Sequence, residues 1–338
     1  MAEIGFVLSS EQFTPNALID YGIAAEKIGF DRVWMSDHFH PWQSNQYQAG
    51  QAWVTLSALA AQMPNIPFGT GVTCPTYRYN PAIVAQAFAT LAVLYPGRVF
   101  LGVGSGEALN EQPPTGHWGG YEERSARLIE ALHLIRNLWH GDWVSHRGAY
   151  YVADPVKLYT VPEQPIPIYI AASGKESMQL AGEHGDGLIT SSETVLNEKE
   201  AIGVFRESAR KVGKDPQSMS IHAETWVFVG SRKEALEAAK LWRFIPKAWT
   251  KFVDEPDPRE ILKGANAEVS LEEAIKGWIV GEDARTHIDA MNALSEAGAT
   301  HIYIHSAQPD QQRVIDFYGR EVLLQVTTRN AIKRMSIV

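Results

Sequence analysis

Residues 36–42, SDHFHPW, bring an aspartate, two histidines and a tryptophan into seven positions. His38 and His40 are two apart, so on extended backbone both point one way and Asp37 the other. Imidazole changes charge near neutrality, which suits a general acid or base. A hydrogen-bonded structural pair fits the spacing as well. A metal site is disfavoured: no HExxH helix accompanies the pair, and the single cysteine, Cys74, cannot build a thiolate cage. A second motif is GVGSGEALNE, residues 102–111. Its three glycines at alternate positions expose backbone N–H groups and admit a ligand closely. It departs from GxGxxG at the sixth position, Glu107, where a carboxylate would repel a pyrophosphate. Glu107 reads either as a solvated turn residue or as a proton donor or acceptor facing a ligand. A third segment, ASGKES at 172–177, offers N–H groups and Lys175 to an anion, a composition that ordinary β/α loops share. Cys74, with no basic neighbour in sequence, reads as a small packed side chain.

Eight short apolar runs could carry these motifs as strands: 4–8, 32–35, 67–72, 98–102, 166–171, 187–191, 220–229 and 300–305. Helical spacing follows at 16–28, 53–62, 81–94 and 121–139, with Pro81 suited to a first turn. Regular β/α alternation implies a parallel sheet, and eight units predict a (β/α)8 TIM barrel rather than an open sheet. Residues 141–160 read as a hairpin excursion. Residues 231–283, with two helical stretches, read as a helical insertion near the C-terminal face of one domain spanning 1–338. Active sites of such barrels lie where strands end and loops begin. Glu11 follows the first strand; Asp37, His38, His40 and Trp42 follow the second. Thr73 and Cys74 follow the third, Ser105, Glu107, Asn110 and Glu111 the fourth, and Ser173, Gly174 and Lys175 the fifth.

Composition narrows the partners. The 338 residues hold 30 Lys plus Arg against 39 Asp plus Glu, a net charge of −9. That lacks the basic footprint of a nucleic-acid binder. Hydrophobic residues make up 45%, enough for a large core, yet no apolar run reaches the roughly 18 residues of a membrane span. The N-terminal MAEIGFVLSSEQF has no basic segment or small-residue cleavage site, and cysteine is nearly absent, so a cytoplasmic location is expected.

Four strings occur in order: SDHFHPW, TYRYNPAIVAQAFATL, YPGRVFLGVGSGEALNE and PTGHW. Together they resemble the coenzyme F420-dependent dehydrogenases of the luciferase-like superfamily. The nearest relatives are the glucose-6-phosphate dehydrogenases of actinobacteria and the secondary alcohol dehydrogenases of methanogens. The likeness spans essentially the whole chain and is densest between 11 and 118. It implies a (β/α)8 barrel that binds F420, usually as a homodimer, and transfers a hydride between a carbinol carbon and C5 of the coenzyme. It places His38 at the reacting carbinol as proton acceptor, Trp42 and Glu11 around the hydroxyl oxygen, and Glu107 beside the ring. Asp37 would contact the deazaflavin, and a non-proline cis peptide would fall at Gly71–Val72. Thr73, Ser105, Asn110, Ser173, Gly174 and Lys175 would line the coenzyme, the last three near its phosphate. Where the sugar-phosphate enzymes carry three basic residues, this chain has Thr194, Thr250 and Gly277, with Lys251 beside one of them. A dianion without cations is poorly held. A non-phosphorylated alcohol or sugar is therefore the expected substrate, with sugar-phosphate oxidation and flavin-dependent monooxygenation as the alternatives.

Overall fold

Alternate side chains of a strand leave in opposite directions, so a closed barrel needs one apolar set for its interior and another for the surrounding helices. The computed structural model describes residues 2–326; Met1 and 327–338 of the expected domain lie outside them. Its strands are β1 (Glu3–Leu8), β2 (Arg32–Met35), β3 (Phe68–Thr70) and β4 (Val99–Val103). They continue as β5 (Ile168–Ala171), β6 (Gly187–Ser191), β7 (Ser220–Phe228) and β8 (His301–His305). Each pairs in parallel with the next, and β8 closes on β1 through Glu3↔His301 to Phe6↔Ile304. This is the (β/α)8 barrel anticipated from the alternation.

The parity is consistent around the barrel. Ile4, Phe6, Leu8, Val33, Met35, Ile302 and Ile304 pack outward against the helices, while Val7, Trp34, Phe100, Ile189 and Tyr303 fill the centre. Trp34 lies flat on Tyr303, with centroids 3.6 Å apart. Below them sits a polar plug: Arg32 Nε donates to Glu3 Oε2 at 3.0 Å, and His222 stacks on His301 at 4.1 Å. Burial drives the His222 imidazole well below its ordinary pKa, and the neighbouring His301 and Arg32 add to this. Above them the inner face continues upward through Ser9, Ser36, Glu224 and His305, which reach the mouth.

Caps aim the loops that cross this mouth. The Thr14 hydroxyl accepts the Ala17 N–H ahead of helix Pro15–Ile28, and Asn80 accepts the Ala82 N–H ahead of helix Pro81–Leu94. Two expectations change in detail. Only Phe68–Thr70 of the expected third strand pairs as a strand. The chain then runs through the Gly71–Val72 peptide, which is cis as anticipated, and meets β4 again at a bridge from Thr73 to Val103. An unexpected helix, Ala108–Thr115, follows β4 and carries Pro113 and Pro114 near its end.

Between β7 and β8, residues 231–283 form helices Arg232–Ala238 and Pro258–Glu268 with several short turns between them. Their aromatic residues join Trp42 in a second core containing Trp242, Phe244 and Phe252, which walls one side of the mouth. The hairpin Val144–Arg147 with Val152–Val156 stands outside the barrel. Among the described residues no helix is long and apolar enough to cross a membrane.

Candidate active site

His38 and Glu11 leave from the ends of β2 and β1 and meet across the mouth. His38 Nε2 lies 3.1 Å from Glu11 Oε1. The other carboxylate oxygen accepts the Ser36 hydroxyl at 2.5 Å, and Ser36 Oγ lies 3.1 Å from Ser10 Oγ. All four of Asn110's amide contacts lie within the protein. Its Oδ1 accepts the N–H groups of Phe39 (2.8 Å) and His40 (3.3 Å), so its NH2 must face Glu107 Oε2 and His38 Nδ1, each at 3.1 Å. An amide donor aimed at Nδ1 favours the His38 tautomer protonated on Nε2, while the His40 carbonyl 3.0 Å from the same Nδ1 favours the tautomer protonated there. In the second form Nε2 keeps its lone pair on the Glu11 side, and a doubly protonated ring has Glu11 at Nε2 and the His40 carbonyl at Nδ1.

Asp37 turns away from this pair, as the alternation predicts. Its buried carboxylate accepts the Thr73 hydroxyl at 2.7 Å and the Tyr79 hydroxyl at 3.1 Å, with Arg78 Nη2 at 3.4 Å. Trp53 Nε1 donates to Thr73 Oγ1 in turn. Arg78 and Tyr79 belong to the TYRYNP string, and nothing in their local spacing announced this role. Glu111 is fully buried and accepts the Arg78 backbone N–H at 2.8 Å. Burial, against the pull of Arg78, pushes its carboxyl up to about 7. Cys74 is buried with Sγ 2.8 Å from Thr76 Oγ1, and burial raises its thiol well above the usual range, so it is a packed residue.

The glycine run serves packing more than ligand approach. A Cβ on Gly102 would lie 2.0 Å from the Thr70 carbonyl oxygen, and one on Gly106, at φ 87°, 2.5 Å from Cys74 Sγ. Gly104 differs. A Cβ there would meet Val72 Cγ2 at 2.9 Å and Ala171 Cβ at 3.8 Å. Gly104 therefore lies against the side chains of Val72 and Ala171, after β3 and at the end of β5. Trp42 is buried over the mouth, stacked on Phe244 at 4.7 Å and 6.1 Å from the His38 ring. Ser105 is half-buried. Ser173, Gly174 and Lys175 are exposed at the end of β5, where helix Lys175–His184 starts without a side-chain cap.

The family model described as luciferase-like monooxygenase matches residues 2–301. The chain is 46% identical over 320 residues to the F420-dependent hydroxymycolic acid dehydrogenase of Mycobacterium tuberculosis, covering 95% of this chain and 87% of that relative. It is 38% identical over 330 residues to the F420-dependent glucose-6-phosphate dehydrogenase of Mycolicibacterium gilvum, covering 95% and 98%. A solved F420-dependent secondary alcohol dehydrogenase, in complex with an F420-acetone adduct, superposes with a TM-score of 0.90 at 37% identity over 96% of this chain and 99% of that one. The chain belongs to the luciferase-like family, on its F420-dependent dehydrogenase branch.

The residues present fit a deazaflavin. Gly104 projects no side chain beside Val72 and Ala171, and an added Cβ would come within 2.9 Å of Val72 Cγ2, so the segment after β4 stays low where a flat ring would lie. The uncapped first turn of helix Lys175–His184, beside Lys175, directs unpaired N–H groups at an anion and so suits a phosphate. The three positions that the resemblance marks as basic in the sugar-phosphate enzymes hold neutral residues here. Thr194 is buried and accepts the Ser191 hydroxyl at 3.1 Å, while Thr250 and Gly277 are exposed on the insertion. Lys251, the nearby cation, is held by Glu268, which also takes Lys247 at 3.3 Å. No ready-made cationic grip for a substrate phosphate is formed by these residues.

Proposed function

We propose that this protein is an F420-dependent dehydrogenase that oxidises the carbinol carbon of a non-phosphorylated alcohol or sugar. When bound, F420 supplies the hydride-accepting ring carbon. The observation that carries the reading is the His38–Glu11 pair clamped by Asn110 at the barrel mouth. Carbinol oxidation must also dispose of the hydroxyl proton. His38 takes it on Nε2 from its Nδ1–H form, and the resulting imidazolium has the Glu11 carboxylate at Nε2 and the His40 carbonyl at Nδ1 to stabilise it. Glu11 and Trp42 hold the oxygen. Glu107, fixed by Asn110, would hold the ring of the bound coenzyme and could keep a proton on its own carboxylate.

Asp37, locked by Thr73, Tyr79 and Arg78, presents the Thr73 segment and the Gly71–Val72 peptide to the coenzyme. Ser105 lines the same edge, and Ser173, Gly174 and Lys175 take the phosphate. The paired state of Lys251 supports an uncharged substrate over a sugar phosphate. A homodimer in the cytoplasm is the expected setting, and light scattering on the purified protein reads the oligomer. His38→Ala is expected to lower turnover of the best alcohol by two to four orders of magnitude, with F420 still bound. Full turnover by that variant would end the proton role.

A further inference from the structure

Two histidine–carboxylate pairs reach the mouth, and the dehydrogenase reading uses only one. The second is built by β7 and β8. Inner-face parity places Glu224 above His222 on β7, and His305 above Tyr303 on β8; the register sets Glu224 between Ser191 of β6 and Tyr303. His305 Nδ1 makes a short contact with Glu224 Oε1, and its Nε2 lies 2.7 Å from Ser9 Oγ. Trp226 stacks on the imidazole at 3.8 Å and Trp242 meets its edge at 5.0 Å. Trp226 also stacks on Trp278 at 5.3 Å, so the pair is set in a wall of indoles.

The Ser9–His305–Glu224 connectivity could suggest a proton relay, but its exposure argues otherwise. Ser9 and His305 are buried, and the Glu224 side chain keeps 32% of its surface exposed. A proton entering at Glu224 would end at a buried serine. The group offered outward is the carboxylate, with one oxygen fixed by His305 and no protein hydrogen bond to Oε2 among the described residues. A fixed carboxylate beside indole faces suits a ligand with O–H donors next to C–H surface, and it repels a phosphate dianion.

We propose that Glu224, oriented by His305 and Ser9, recognises a substrate hydroxyl other than the one oxidised, so that uncharged diols and polyols are preferred to simple alcohols. This rests on the dehydrogenase reading for its choice of substrate. The test uses two alcohols of equal carbon count, butane-2,3-diol and butan-2-ol, with the F420-loaded protein. Wild type is expected to favour the diol in kcat/KM by about tenfold to a hundredfold, the range for one hydrogen bond to a charged acceptor. Glu224→Gln and Glu224→Leu should shrink that ratio toward one, mainly through KM. An unchanged ratio in both variants, or a wild type that prefers butan-2-ol, overturns the proposal. Calorimetric titration of the diol onto the loaded protein reads recognition without turnover. Binding weakened by the near-isosteric Glu224→Gln supports the proposal even if neither alcohol is oxidised, an outcome that would count against the dehydrogenase reading alone. Binding that Glu224→Gln leaves unchanged overturns it.

Discussion

Asn110→Leu separates the clamp on His38 from everything else in the mouth. Leucine repeats the branching of asparagine with bulkier methyl ends at a position that is 1% exposed, so it keeps the shape, adds some overpacking and removes every polar contact. What goes is an acceptor for the Phe39 N–H at 2.8 Å and the His40 N–H at 3.3 Å, and a donor to His38 Nδ1 and Glu107 at 3.1 Å each. A buried donor left without a partner costs about 1–3 kcal/mol. Phe39 is exposed and both N–H contacts are only part-buried, so water can take over some of the lost pairing. The expected loss is therefore about 1–2 kcal/mol, read from urea unfolding at constant slope. The second consequence is chemical. Without an amide donor at Nδ1, the Nε2–H tautomer of His38 loses its selection, because the His40 carbonyl at 3.0 Å favours a proton on Nδ1. Nitrogen-15 spectra of the imidazole should shift toward the Nδ1–H species, and turnover should fall by tenfold or more as His38 and Glu107 lose their shared support. A loss below 1 kcal/mol together with an unchanged His38 tautomer would refute the clamp.

Two further outcomes follow from the same geometry. Gly104→Val places a Cβ 2.9 Å from Val72 Cγ2 where the coenzyme ring is proposed to lie; overpacking of about 1–3 kcal/mol should weaken F420 binding tenfold or more with the circular dichroism spectrum kept, and undiminished affinity would remove that surface from the site. His222 is neutral in the fold, because burial and its neighbours His301 and Arg32 disfavour its charge, whereas an unfolded histidine titrates near 6.5. The unfolded chain then binds the extra proton below that pH. This contribution to stability is complete above about 6.5 and declines as pH falls through it, by up to about 1.4 kcal/mol per pH unit until the folded imidazole titrates. Unfolding measured against pH should show a shallower acid slope in His222→Gln; equal slopes contradict the assignment.

Much of the barrel could be read from local pattern, because most strands are short apolar runs followed by a helix, several of them with a side-chain cap. The end of β3 could not, since pairing stops at Thr70 although the apolar residues continue to Val72. Helix Ala108–Thr115 was hidden by Pro113 and Pro114, which local propensity counts against a helix even though they fall near its end. For the site, types and strand-end positions sufficed to nominate His38, Glu11 and Glu107. The partners that orient them come from other loops. Arg78 and Tyr79 reach Asp37 from some 40 positions away, and no spacing rule links them. Glu224 and His305 sit on alternating positions of SIHAETW and THIYIH. Their inward direction follows only once Tyr303 and His222 define which face of β7 and β8 looks into the barrel.

The measurement that bears most directly on the whole account is titration of purified protein with coenzyme F420, followed by fluorescence quenching, with FMN as a parallel titrant. Saturable F420 quenching at one coenzyme per chain, weakened by Gly104→Val and indifferent to FMN, is the predicted result. Absence of saturation with F420, or tight FMN binding in its place, would contradict it.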